Sequence, residues 1–375
     1  MAKSKITNME VKKNNRNRIY RYICKSKTVS NPDIAYALTL SLPTVIQNTK
    51  ELLELGLLEE VGELQSTGGR RAKALSAAAD YKLAAGLDIT QNHIGMVLTN
   101  LLGDILKYER IYYPYRKGRE YFQEVNEKLE EFIENSPAGR EKILGLGISF
   151  PGIVNLQKKR VTSSHVLNVN AFPFAEVDDC FKLPCYFLND ANAGAYAEGI
   201  HSETSEPFFY LSLSNTVGGA LYHDGHLMQG QEFRCGEVGH MTVVPDGRAC
   251  YCGKSGCLDA YCSAKCLSGL TDKKLEKFFS GLKQGDGKLA DAWEEYTKYL
   301  SIAVNNIHMV LDCDIVLGGY VGSCLEDYIG EIRQKVSARN TFSEDGSFVK
   351  PCKYKVGAAA LGAALQVIET FIEQV

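Results

Sequence analysis

One His and three Cys fall within 18 residues, as His240, Cys250, Cys252 and Cys257, and no other stretch restricts the fold so tightly. A Zn²⁺ ion takes four N or S ligands at the corners of a tetrahedron, and this set completes one with no position left open. The spacing therefore predicts a structural zinc, one per chain, rather than a hydrolytic metal. Gly253 and Gly256 let the loop fold back on itself. Cys235, Cys262 and Cys266 lie close enough in sequence to serve as alternative ligands. The start, MAKSKITNMEVKKNN, lacks the apolar stretch of a signal peptide, and no run approaches 18 apolar residues. The expectation is a cytoplasmic protein without a membrane span, in which a tight cluster of the 12 Cys reads as a metal site before disulfides.

At 375 residues the chain exceeds one ordinary core and predicts two or three compact units. Its net charge of −3 hides an asymmetry. Residues 1–80 hold 13 Lys and Arg against 8 Asp and Glu, and the remainder 29 against 37. A basic head on an acidic body points to an N-terminal unit that meets phosphates, although a solvated basic tail accounts equally well for residues 1–15.

Helical spacing of Ile19, Tyr22 and Ile23 opens that unit. Ser30 or Asn31 then caps a second helix with Pro32 in its first turn, carrying Ile34, Ala35 and Leu38. Ser41-Leu42-Pro43-Thr44 restarts the chain into a third helix, with Val45, Leu52, Leu53 and Leu55 on its buried side. Gly56 ends it, a strand begins near Leu57, and Thr67-Gly68-Gly69-Arg70-Arg71 makes a hairpin turn. Three short helices and a hairpin form the pattern of a winged helix-turn-helix over residues 1–79. Such a helix enters a major groove with short polar side chains, here Ser41, Thr44, Gln47, Asn48 and Lys50. Arg70 and Arg71 on their Gly-Gly turn suit the adjacent minor groove. A helical protein-interaction module is the competing reading.

After Asp80 strands are predicted at 83–89, 94–100, 105–113 and 143–149, and again at 185–188, 208–213, 219–223 and 314–317. Helices are expected at 118–135, 191–199, 289–312 and 356–373. Strand clusters interleaved with helices predict two α/β lobes around a cleft: residues 80–190, completed by the C-terminal helix 356–375, and residues 191–355 with the metal loop.

Gly239-His240, nine residues, then Cys-x-Cys-Gly-x-x-Gly-Cys-Leu-Asp resembles the signature of the ROK family of repressors, open reading frames and sugar kinases. Ser149-Phe-Pro-Gly152, Leu188-Asn-Asp-Ala-Asn-Ala193 and Val316-Leu-Gly-Gly319 extend the resemblance over residues 80–375. With the head in front, the whole chain is similar to the xylose- and N-acetylglucosamine-responsive repressors of that family. The resemblance implies a two-lobed, actin/hexokinase-like (ribonuclease H-like) α/β domain with sugar in the cleft, behind a winged helix-turn-helix. It places Asn189 and Asp190 at sugar hydroxyls, Asp190 matching the general base of the kinase members; the competing role for Asp190 is a helix cap. It adds Glu237, His240 and Asp259, the last where the family usually has Glu, together with Gly152 and either Asn168 or Asn170.

Kinase members hold ATP phosphates on Asp-x-Gly-Gly-Thr, where this chain reads Asp88-Ile89-Thr90-Gln91-Asn92. Their second turn, Gly-Thr-Gly-x-Gly-Gly, reads Ser214-Asn215-Thr216-Val217-Gly218-Gly219. Without those glycines backbone amides cannot close on phosphate. The expectation is a DNA-binding sugar sensor without kinase activity, bound as a homodimer or homotetramer to double-stranded, palindromic operator DNA. A ROK-type ATP-dependent sugar kinase with an accessory DNA-binding domain is the alternative.

Overall fold

A computed structural model describes residues 8–63, 72–136, 139–200 and 206–375. The head begins with α1 (Asn8–Ser26), α2 (Asn31–Leu38) and α3 (Leu42–Glu54), followed by the antiparallel pair β1 (Leu58–Glu63) and β2 (Lys73–Ala77). Ser30 caps α2 by a reciprocal box with Asp33, and Thr39 in the left-handed region stops it. Two residues later Ser41 accepts the Thr44 amide and starts α3. Val45 and Leu52 are buried as expected, whereas Leu55 lies beyond the last turn and is 44% exposed. The expected turn with Arg70 and Arg71 lies outside the described residues.

The body holds two five-stranded sheets of the same topology. In the first, β3 (Leu83–Ile89), β4 (His93–Asn100) and β5 (Ile105–Tyr112) form an antiparallel meander. After α4 (Arg119–Glu134), β6 (Ile143–Phe150) pairs parallel to β3. A small sheet of β7 (Ile153–Asn155), β8 (Arg160–Ser164) and β9 (Val169–Pro173) follows, then α5 (Ala175–Asp178). Next, β10 (Cys185–Asn189) pairs parallel to β6 and runs directly into α6 (Asp190–Ile200). No strand was expected between residues 149 and 185, where the small sheet lies, because its strands are short and polar residues interrupt their alternation.

The second sheet repeats the plan with the meander β11 (Phe208–Leu213), β12 (Val217–His223) and β13 (His226–Met228). The Cys-rich loop follows, then α7 (Asp259–Cys262), α8 (Ala264–Ser268), α9 (Leu275–Lys283) and α10 (Gly287–Leu311). Parallel strands β14 (Asp314–Gly318) and β15 (Val349–Pro351) complete it, with α11 (Gly319–Gly322) and α12 (Ile329–Ser337) between them. The last helix, α13 (Ala358–Gln374), returns to the first sheet. It packs so closely that a Cβ on Gly147 of β6 would lie 1.9 Å from the Ala363 carbonyl, and one on Gly362 would lie 1.7 Å from the Ala193 carbonyl of α6. Glycine is required at both contacts.

Each lobe has its own apolar core, Leu87, Phe122 and Ile148 in one and Leu211, Phe278 and Leu300 in the other. A third buried cluster runs from the head (Ile19, Ile23, Leu52) through Tyr196 of α6 and Tyr222 to Leu365 and Ile368 of α13. On the same face Arg21 makes a two-pronged ion pair with Glu369, and Arg16 donates to the Val375 carbonyl. Among the described residues no helix is long and apolar enough to cross a membrane.

Candidate functional site

A cavity of about 300 Å³ lies between the lobes, walled by Gly152, Asn189, Asp190, Glu237 and His240 of the expected set. Asn189 ends β10, and its side chain is fully engaged. Its Nδ2 donates to the Gly152 carbonyl at 2.8 Å and to Asp190 Oδ1 at 2.9 Å, and its Oδ1 accepts the Asn192 amide at 3.0 Å. Asn189 therefore caps α6 and fixes Asp190 against the cavity. Asp190 Oδ1 also accepts the Ala191 amide at 3.0 Å, which uses two of the roughly four acceptor positions of a carboxylate and leaves the rest for a ligand. Desolvation, then the charges of Asp88 and Glu237, push the Asp190 carboxyl up to about 7. Asp88, at the end of β3, is itself pushed up to about 6 by burial, against a 2.9 Å hydrogen bond from Ser149. Glu237 is raised by desolvation, which His240 and Arg234 partly oppose. Three crowded carboxyls, two of them on the cavity wall, suit the hydroxyl groups of a polyol as hydrogen-bond donors.

Two expected cavity residues lie elsewhere. Asp259 is buried, and its Oδ2 accepts the Val217 amide at 2.6 Å. Its short side chain ties the Cys-rich loop to the start of β12 instead of reaching the cavity. Asn168 is exposed in the turn between β8 and β9, with a φ of 53°, and Asn170 is exposed on β9. Ser163, His165 and Val166 of that hairpin line the cavity in their place. Sequence reasoning also missed Arg234 and Tyr251. The position of Tyr251 between two Cys of the cluster was a signal that could have found it.

His240, Cys250, Cys252 and Cys257 come together, with one ligand atom from each inside a 4.8 Å span. Cys252 Sγ and Cys257 Sγ are 3.8 Å apart, and Cys250 Sγ lies 3.9 Å from His240 Nδ1. A tetrahedral ion with metal–sulfur bonds of about 2.3 Å has sulfur–sulfur edges of about 3.8 Å, so the donor set fits one ion. The alternative ligands are engaged elsewhere: Cys262 bonds the Tyr296 carbonyl at 3.6 Å and Cys266 the Ala260 carbonyl at 3.5 Å. Cys235 is outside the group.

The turns at Thr90 and Ser214 are hydrogen-bonded within the chain itself. Thr90 Oγ1 donates to the His93 carbonyl at 2.9 Å and accepts the His93 amide at 3.1 Å, so the first turn closes on its own side chain. In the second turn Ser214 Oγ accepts the Tyr320 amide at 3.4 Å, and the Val217 amide is spent on Asp259. The Tyr320 ring, from the second lobe, lies 5.3 Å from the guanidinium of Arg110 on β5.

On the head, Ser41, Gln47 and Lys50 are exposed and Thr44 is half-exposed. Asn48 is not available to bases. It is 2% exposed, its Nδ2 donating to the Thr44 carbonyl at 2.8 Å, because its place in the helical period falls between the buried Val45 and Leu52.

The sequence profile of the ROK family matches residues 84–370. This chain belongs to the ROK family. The ROK chain is 28% identical to a putative xylose repressor of Caldicellulosiruptor sp. strain Rt8B.4, over 96% of its own length and 97% of the relative's. It is 26% identical to the xylose repressor of Bacillus subtilis strain 168, over 97% of each. Among solved structures, a ROK family transcriptional regulator described as a homolog of E. coli MLC protein covers 97% of each chain at a TM-score of 0.77 and 22% identity. A ROK glucokinase from Streptomyces griseus, solved with glucose and AMPPNP, covers 75% of this ROK chain and 98% of its own, with a TM-score of 0.64 and 22% identity. The two-lobed architecture of the ROK body is thus the one expected from sequence.

Proposed function

We propose that this ROK protein is a sugar-responsive transcriptional repressor of carbohydrate metabolism. The observation that carries the reading is the path of α6: it starts at the cavity with Asp190 and packs by Tyr196 into the cluster that holds the head. Similarity to xylose repressors over 96–97% of the chain, head included, supports it. Asp190, Glu237 and His240 bind the sugar hydroxyls. Ser41, Thr44, Gln47 and Lys50 face the major groove from α3, with Arg70 and Arg71 at the neighbouring minor groove. The protein acts as a homodimer or homotetramer on operator half-sites spaced by helical turns. The soft Cys₃His set suits Zn²⁺ over harder cations, and the ion would close the loop that presents His240 and Tyr251.

The engaged turns at Thr90 and Ser214 and the Tyr320–Arg110 contact support a sensor without phosphoryl transfer, since that reaction depends on positioning and neutralising phosphates. The kinase alternative rests on Asp190, whose raised pKa suits a base. Operator binding by the purified protein, measured by mobility shift across a sugar panel, tests the reading. The expected result is a salt-dependent complex whose affinity one sugar changes at least fivefold. Saturable, Asp190-dependent ATP turnover on the order of 1 s⁻¹ would instead establish a kinase.

A further inference from the structure

Tyr320 of the second lobe reaches across to the first, and its mount is rigid. α11 opens at Gly319, whose φ is 77° and where a Cβ would lie 2.6 Å from Ser214 Oγ. The Gly319 amide donates to Tyr210 Oη at 3.1 Å, and the Tyr320 amide donates to Ser214 Oγ at 3.4 Å. The Tyr320 carbonyl accepts the Ser323 hydroxyl at 2.7 Å. Both backbone polar groups of Tyr320 are thus engaged within its own lobe, which fixes the direction in which the ring leaves it.

The surface that the ring meets is equally ordered. Strand register places Ser149 of β6, Asp88 of β3, Gly95 of β4 and Arg110 of β5 side by side across four strands. Residues directly opposite one another share a face of the sheet, so the four form one row. Ser149 Oγ donates to Asp88 Oδ1 at 2.9 Å. Gly95 has no side chain, so nothing on the intervening strand stands between the Asp88 carboxyl and the Arg110 guanidinium. The Arg110 charge acts across that gap, opposing the burial that raises the Asp88 carboxyl. Tyr320 closes the end of the row, with its ring 5.3 Å from the guanidinium. A guanidinium within about 6 Å of a ring centroid is attracted to the ring face, more strongly as water is excluded.

We propose that Arg110 and Tyr320 form a clasp between the lobes, which sets the angle of the cleft in the unliganded chain. Asp88 is the fixed charge behind the guanidinium, and Ser214 holds the backbone behind the ring. The clasp acts on the cleft itself and does not depend on which ligand the cavity takes. It shapes the cleft before any ligand enters, so less ordering is left for the ligand to drive.

Single-molecule energy transfer in the full, unliganded chain tests it. One dye is placed on each lobe through non-natural amino acids at the exposed positions Glu127 of α4 and Asp291 of α10, which leaves the cysteines untouched. Tyr320→Leu, which removes the ring, should raise the population with the lobes apart by roughly 3- to 30-fold, the scale of a cation–π contact partly shielded from water. Arg110→Met, at an exposed position on the edge strand β5, should do the same, and it keeps the test open if Tyr320→Leu does not fold. Tyr320→Phe and Arg110→Lys, which retain a ring and a cation, should stay within about twofold of the parent. The double variant Arg110→Met with Tyr320→Leu should match the single variants within about twofold, because each removes the same contact. Parent-like distance distributions in Arg110→Met would overturn the clasp. So would equal effects of Tyr320→Phe and Tyr320→Leu, or effects of Arg110→Met and Tyr320→Leu that multiply in the double variant.

Discussion

Asp190 concentrates the chemistry of the cavity. Asn189 saturates its own hydrogen bonds in holding α6 and the Gly152 carbonyl, so it positions its neighbour, while Asp190 keeps acceptor capacity for a ligand. Asp190→Asn should weaken sugar binding by about 1.5–3 kcal/mol, as a charged hydrogen bond is replaced by a neutral one, with operator binding in the absence of sugar retained. The same substitution has a pH signature. The folded-state pKa of about 7 exceeds the ordinary value of 3.8, so between these limits the folded protein holds a proton that the unfolded chain has released. Stability contributed by this group is present below that window and is lost as pH rises through it. In thermal melts without ligand, Asp190→Asn should therefore gain on the parent at pH 8, and the gain should shrink towards pH 5. A gain independent of pH would mean that the carboxyl is already ionised throughout. The pair Asn189-Asp190 was legible from sequence, but the roles within it were not, because they depend on which backbone amides the fold brings within reach. Asn48 and Asp259 failed for the same reason. Polar side chains in a suggestive place were bound by the chain's own backbone, the Thr44 carbonyl in one case and the Val217 amide in the other.

At the scale of the element, the loop that carries the Cys₃His cluster joins the lobes' chemistry to their folding. Asp259 anchors one end of it to β12, and His240 at the other end is both a member of the Cys₃His cluster and part of the cavity wall. Purified protein should carry about one zinc per chain by elemental analysis, and Cys257→Ser should lose the metal and the sugar response together. Cys262→Ser should keep the metal, since that thiol faces the Tyr296 carbonyl; full metal content in Cys257→Ser would remove the assignment. Such loops are legible in sequence because ligand spacing is a local constraint. The long strands and helices were legible for a similar reason: β3, β4, α4 and α10 carry a period that burial imposes on each segment separately. The β7–β9 sheet was not, since its strands of three to five residues are too short to show a period, and it is this hairpin that supplies His165 to the cavity.

At the scale of the whole molecule, the head is not a separate bead on a tether. Its core is continuous with α6 and α13, and the Arg21–Glu369 pair closes the seam. Glu369→Gln should leave sugar affinity within about twofold while reducing the effect of sugar on operator binding by about fivefold, the lower end of ordinary coupling energies. The exchange Arg21→Glu with Glu369→Arg should restore it; a Glu369→Gln protein that responds normally would place the coupling elsewhere. None of this was visible in sequence, because residues 21 and 369 meet only through the return of the last helix. That return also governs how the protein is made. At ordinary rates of synthesis of about 5–20 residues per second, β6 leaves the ribosome roughly 10–40 s, and β3 roughly 13–54 s, before α13 exists to cover them. During that interval Leu87 and Ile148 can fold against α4, but the opposite face of the sheet, where Gly147 waits for Ala363, has nothing to bury it. A message broken anywhere before the codon for Ala358 would thus yield not a shortened sensor but a sheet with one bare face and a head without its seat, a product for proteases rather than for DNA.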